Sequence, residues 1–123
     1  MTQRVLFCDD DPDIREVIAL SLGLDAALDV KGCEKAEDML EVATEWHPDL
    51  VLLDVMMPGM DGPTALGELM RDPETRPIPV VFMTARTQVH EREHFVALGA
   101  AGVIAKPFDP MTLASQVRRF MAA

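Results

Sequence analysis

An α/β domain with a parallel sheet and helices on both faces is predicted by three observations. Short apolar runs that do not alternate with polar residues recur at positions 5–8, 50–53, 80–83 and 103–105, as expected of strands buried on both sides. Segments with a helical repeat of apolar residues lie between them. The resulting order, βαβαβαβαβα, is that of strands joined by right-handed helical crossovers.

Each element has its own warrant. The first strand covers 5–8, and Ile14, Val17, Ile18 and Leu22 then fall on one helical stripe. Asp11-Pro12 places a capping carboxylate before a proline at the first helical position, where the missing N–H costs nothing. A weaker run at 28–33 supplies a second strand, and Ala36, Met39, Leu40 and Ala43 form the stripe of the next helix. The 50–53 strand is followed by Gly59, Gly62 and Pro63, expected to break the chain before the stripe of Ala65, Leu66, Leu69 and Met70. Asp72-Pro73 and the prolines at 77 and 79 mark a loop leading to the 80–83 strand. A fourth helix is expected over about 87–98, and the last, with Leu113, Val117 and Phe120 on one stripe, is expected to be capped by Asp109-Pro110. Gly23 and Gly99 stand where helix C-caps are expected.

Composition narrows the function. With 123 residues the chain has the size of one domain, expected to cover 1–123 with no output domain because the last helix reaches almost to Ala123. Eleven Lys and Arg stand against 21 Asp and Glu, a formal charge of −10. That balance disfavours nucleic acid, whose phosphates need cations, and anionic membrane surfaces equally. No apolar run approaches the roughly 20 residues of a membrane span, and no signal peptide opens the chain, so a cytoplasmic protein is expected. Cys8 and Cys33 lie in or beside apolar segments and are expected to be small hydrophobes rather than a disulfide.

Ligands of open α/β sheets bind beyond the carboxyl ends of the strands. The residues following the apolar runs are therefore the informative ones: Asp9, Asp10 and Asp11 after the first, Asp54 after the third, Thr84 after the fourth and Lys106 after the fifth. Singly, Asp11 is a helix cap, Thr84 a strand-end hydroxyl and Lys106 a surface charge. Asp54 resists that treatment, because an ionised carboxylate ending a buried strand needs a partner or a metal. Three gathered carboxylates, Asp9, Asp10 and Asp54, repel one another unless a cation is shared. All-oxygen donors without imidazole or thiolate select Mg²⁺, with Mn²⁺ as a substitute, over zinc. A metal, an ammonium, a hydroxyl and a carboxylate nucleophile together suit formation and hydrolysis of an aspartyl phosphate.

In these stretches the chain resembles the receiver domains of bacterial two-component response regulators. The carrying motifs are Val5-Leu-Phe-Cys-Asp-Asp-Asp-Pro-Asp-Ile-Arg, Pro48-Asp-Leu-Val-Leu-Leu-Asp-Val-Met-Met-Pro-Gly-Met-Asp-Gly, Val80-Val-Phe-Met-Thr-Ala-Arg and Gly102-Val-Ile-Ala-Lys-Pro-Phe, and the likeness extends from about Arg4 to Met121. The resemblance implies a doubly wound, flavodoxin-like five-stranded sheet in order 2-1-3-4-5, with Asp54 as phosphoacceptor. It implies that Asp10 ligates Mg²⁺ directly, Asp9 through water, and Met56 through its backbone carbonyl. Thr84 and Lys106 would contact the phosphoryl group, and Lys106-Pro107 would be cis, as such bonds are almost confined to X-Pro. The implied partners are a sensor histidine kinase or histidine phosphotransfer protein, docking near the first helix and the rim loops, and a downstream protein target, with the receiver a monomer or weak dimer. Val89, Arg92, Val103 and Arg118 are candidates for the signalling face. Val103 occupies the switch position usually held by Tyr or Phe, so the aromatic rotamer switch cannot operate and a signal must pass through the loop after Thr84 and the fourth helix. Met56 and Arg86 occupy the positions that modulate phosphoryl lifetime.

Four other readings compete. His90-Glu91-Arg92-Glu93-His94 matches H-E-x-x-H, the helical zinc motif of metallopeptidases. A peptidase also needs a third ligand and a substrate cleft, so the match reads as a polar helix face that could bind added Zn²⁺ or Ni²⁺. Asp9-x-Asp11-x-Asp13 imitates an EF-hand start but has Ile14 for the required Gly and Leu20 for the required Glu. A haloacid-dehalogenase-type phosphohydrolase would want an Asp two residues after the nucleophile, where Met56 stands. A pseudo-receiver serving only as a binding module is the remaining alternative, motivated by Val103.

Overall fold

The computed structural model describes residues 2–85 and 89–121. Five strands alternate with five helices: β1 (Gln3–Cys8), α1 (Pro12–Gly23), β2 (Leu28–Cys33), α2 (Ala36–Trp46), β3 (Leu50–Asp54), α3 (Gly62–Arg71), β4 (Val80–Thr84), α4 (Val89–Ala97), β5 (Gly102–Ala105) and α5 (Leu113–Met121). All pairings are parallel and the sheet order is β2-β1-β3-β4-β5. This is the doubly wound order expected from the resemblance.

The unbroken apolar runs are explained by burial on two sides. Along β3, Leu50 and Leu52 face one core layer with Ile18, Leu22, Leu113 and Val117 of α1 and α5. Val51 and Leu53 face the other, with Met39, Ala43, Leu66, Leu69 and Phe95 of α2, α3 and α4. Successive side chains point to opposite faces, and both faces are covered. Every residue of β3 and β4 is buried, whereas β2 and β5 at the edges are partly exposed. Cys8 is fully buried beside Met57, and its register partner Cys33 is half-buried. Burial, reinforced by Cys33 and nearby carboxylates, pushes the Cys8 thiol up to about 12, so both cysteines remain packing groups as expected.

Element boundaries depart from the expectations in four places. Gly62 and Pro63 do not precede α3 but form its first turn, behind an Asp61 cap that accepts the Thr64 amide at 2.9 Å. Asp109 does cap, but it caps a turn: its carboxylate takes the Met111 amide at 2.9 Å, and α5 begins only at Leu113. Gly23 is the last residue of α1, and Leu24, in right-handed helical conformation, takes the C-cap. Asp54 and Thr84 lie inside their strands as terminal residues rather than beyond them. Asp11 is as expected, accepting the Asp13 and Ile14 amides. Gly99, with φ +116°, makes the left-handed turn after α4 that residues with a Cβ avoid. The first part of the expected fourth helix and Arg86 lie outside the described residues.

Candidate functional site

The site is assembled by strand endings. β1 and β3 pair in register, Cys8 opposite Leu53, so the residues that follow, Asp9 and Asp54, emerge side by side. β4 pairs Met83 with Asp54, and β5 pairs Ala105 with Thr84, which brings Thr84 and then Lys106 to the same rim. The Lys106 amide continues the ladder by donating to the Thr84 carbonyl at 2.9 Å. Lys106-Pro107 is cis.

One carboxylate oxygen from each of Asp9, Asp10 and Asp54 lies within 4.8 Å of the others. Asp9 is fully buried, Asp54 is 6% exposed and Asp10 is half-buried. The Lys106 ammonium donates at 2.9 Å to Asp9 and at 3.1 Å to Asp54, clasping the two buried acids. Burial, followed by the charge of Asp9, raises the Asp54 carboxyl above its ordinary 3.8, although Lys106 and the Met56 amide pull the other way. Burial also disfavours the Lys106 ammonium, but its hydrogen bonds to Asp9 and Asp54 and their charges outweigh this and raise it above 10.5. Thr84 is buried at the end of β4. Of the predicted site residues, Asp9, Asp10, Asp54, Thr84 and Lys106 therefore gather at one rim, and Met56, two residues beyond Asp54, follows β3 with its side chain exposed.

Two positioning residues were not foreseen. Arg15, on α1, donates to the Asp9 carbonyl at 2.8 Å and steadies the loop that presents Asp9 and Asp10. Gly62 packs on the backbone beneath Asp54: its amide donates to the Val55 carbonyl at 2.9 Å, and a Cβ there would stand 2.5 Å from the Asp54 carbonyl oxygen. Its place after a capping Asp was the available signal. Arg118 departs from expectation, since its guanidinium pairs with Asp25 and Gln3 on the α1 side instead of standing free on the signalling face. Val103 is half-buried and packs against the α2–α4 core layer. Arg92 is exposed on α4. His47 ends α2 in left-handed conformation, before β3 and hence away from the rim.

The family model of the response regulator receiver domain matches residues 5–118. The chain belongs to the response regulator receiver family. Receivers are phosphoacceptors rather than conventional enzymes, and they pair with histidine kinases. This receiver is 35% identical over 121 residues to the phosphate regulon transcriptional regulatory protein PhoB of Escherichia coli, a match covering 98% of this chain and 52% of PhoB. It is 34% identical over 118 residues to the DNA-binding dual master transcriptional regulator RpaA of Synechocystis sp., covering 96% of this chain and 48% of RpaA. The receiver thus spans about half the length of these curated relatives. Among solved structures, chemotaxis protein CheY4 of Vibrio cholerae superposes with a TM-score of 0.88 at 28% identity, covering 98% of this chain and 99% of that one. The N-terminal domain of a response regulator receiver protein from Methanoculleus marisnigri gives 0.78 at 32% identity, covering 98% and 97%.

The acidic triad suits a divalent metal of the kind typical of receivers. One ammonium against three carboxylates leaves the cluster two charges negative, which one divalent cation would cancel. The donors are hard oxygens, the ligand type that hard divalent cations take. Among the described residues no helix is long and apolar enough to cross a membrane.

Proposed function

We propose that Asp54 accepts a phosphoryl group from a phosphohistidine on a sensor histidine kinase or phosphotransfer protein and later releases it to water. The observation that carries this reading is the buried Asp54 carboxylate held at 3.1 Å from Lys106 within a triad of acids. In the transfer, an Asp54 oxygen forms a bond to phosphorus as the phosphorus–nitrogen bond of the donor breaks, and the freed imidazole nitrogen takes the electron pair. Lys106 is placed to neutralise a phosphoryl oxygen, and the Thr84 hydroxyl to donate to another. Asp10 would hold Mg²⁺ directly, Asp9 through water, with the Asp54 carboxylate and the Met56 carbonyl completing the protein ligands. The ion when bound supplies charge neutralisation for the nucleophile and the incoming group. Lys106 clasps Asp9 and Asp54 here, and a cation held by those acids would leave its ammonium available to a phosphoryl oxygen.

With Val103 at the switch position, the signal passes through the loop after Thr84 and α4, reaching a downstream protein through the α4–β5–α5 face that carries Arg92. The match covers 99% of CheY4 but 52% of PhoB, so the size of the endogenous protein on an immunoblot separates a stand-alone receiver from one joined to a further domain. The chemistry is tested with acetyl phosphate or phosphoramidate and intact-mass measurement. One phosphoryl mass is expected to be gained only with Mg²⁺ and to be lost in Asp54→Ala. Retention in Asp54→Ala would overturn the assignment, and catalytic turnover of free phosphoesters would favour a hydrolase. Amide chemical shifts compared with and without phosphoryl group should change along α4; an unchanged α4 would refute that route.

A further inference from the structure

On the α4 side of the sheet, Val55, Met56, Thr84, His90, Glu91, His94 and Phe95 line a recess of about 540 Å³. Three of these residues carry metal-ligating side chains that the phosphoryl chemistry leaves unused. His90 and His94 are one turn apart on α4, so both imidazoles leave the same helix face. Both are exposed and free to rotate, apart from the contact of the His94 ring with Phe95 at 5.8 Å between centroids. Glu91 stands three residues before His94, on the adjoining part of that face. One of its carboxylate oxygens, Oε2, is buried and has no hydrogen-bond partner among the described residues. A buried acceptor without a donor is costly unless something positive meets it.

We propose that His90, His94 and Glu91 form a second cation site, separate from the Asp9–Asp10–Asp54 cluster and selective for a borderline transition ion of the Zn²⁺ class. Two imidazoles and one carboxylate are a donor set suited to zinc, whereas the rim triad offers only hard oxygens. The two sites therefore sort cations by softness. The three donor groups have not converged on one point, since among the described residues only the acidic triad gathers its ligand atoms within 4.8 Å. The ion assembles the site by rotating the two exposed imidazoles toward Glu91. This is no peptidase centre: the glutamate is spent as a ligand instead of standing free as a base.

The test is a titration of the whole chain with Zn²⁺ in saturating Mg²⁺, followed by calorimetry and by imidazole resonances in NMR. Binding of one ion is expected, with the His90 and His94 signals shifting and those of His47 unmoved. His90→Ala and His94→Ala are each expected to weaken binding by at least about tenfold, and Glu91→Gln by about tenfold. The His variants alter exposed side chains, and circular dichroism of every variant checks that the fold is kept. Affinity unchanged in the His90→Ala/His94→Ala double variant would overturn the site. So would Zn²⁺ being displaced by Mg²⁺, which would place the ion on the acidic triad, or an affinity unaffected by Glu91→Gln.

Discussion

At Asp54 burial and function pull in opposite directions. Its carboxyl is raised above 3.8 first by burial and then by Asp9, so the folded state binds that proton more tightly than the unfolded state. The associated stability is present below the unfolded value and is lost as pH rises through the folded one. At neutral pH the ionised Asp54 carboxylate therefore destabilises the fold. Asp54→Asn is expected to raise stability by about 0.5–2 kcal/mol at pH 7, the scale common to single stabilising substitutions. The gain should shrink as pH is lowered through the raised carboxyl toward 3.8. Urea denaturation at several pH values measures this; a gain independent of pH would sink the explanation. Lys106 acts in the opposite sense. Removing it in Lys106→Ala leaves Asp9 and Asp54 facing each other without their ammonium, expected to cost about 3 kcal/mol in metal-free buffer, the low end for a broken buried pair because the lysine is partly exposed. Millimolar Mg²⁺ should restore much of that loss by binding only the folded state. Denaturation with and without Mg²⁺ checks it, and equal losses in both buffers would show that the lysine matters chiefly for packing.

At the level of single elements, α3 carries the most specific test. Gly62→Ala would gain up to about 1 kcal/mol in helix propensity, but its Cβ would lie 2.5 Å from the Asp54 carbonyl and 2.9 Å from Val55 Cα. Backbone atoms cannot step aside as a flexible side chain can, and overpacking of this kind costs about 1–3 kcal/mol. Net destabilisation is expected together with slower phosphorylation from phosphoramidate, because the atoms displaced belong to Asp54, the proposed phosphoacceptor. Unaltered rates would show that α3 yields instead. The same helix shows what a sequence conceals. The strands were legible because burial on both faces leaves uninterrupted apolar runs, and the reactive side chains were legible because their types and places at strand ends imply a chemistry. The start of α3 was not, since Gly62 and Pro63 read as breakers until Asp61 is recognised as their cap. Asp109 misleads in the reverse way, because its amide contact closes a turn and the helix starts where Leu113 first reaches the core. Arg15 and Gly62 escaped notice for a shared reason: each acts on a backbone carbonyl, and carbonyls leave no mark on residue identity.

Across the whole molecule stability is graded from the centre of the sheet outward. β3 and β4 are buried throughout and β3 is paired on both edges, whereas α4 buries Phe95 and leaves Arg92, Glu93, His94 and Val96 exposed. Amides of β3 and β4 are expected to exchange with solvent only through global unfolding, and those of α4 through cheaper local opening. Hydrogen exchange resolves this directly; α4 protection equal to that of β3 would contradict it and weaken the case for α4 as the signalling element.

The double pairing of β3 has a consequence for any donor. Asp54 closes a strand tied to β1 and β4, so its backbone cannot lean outward and only its short side chain can turn. On the phosphoacceptor reading, most of the travel would fall to the donor. A phosphohistidine mounted on a stiff helix would then qualify only if its side chain overhangs its own backbone far enough to enter the rim, which makes reach, measured in side-chain lengths, a criterion by which donors would be admitted or refused.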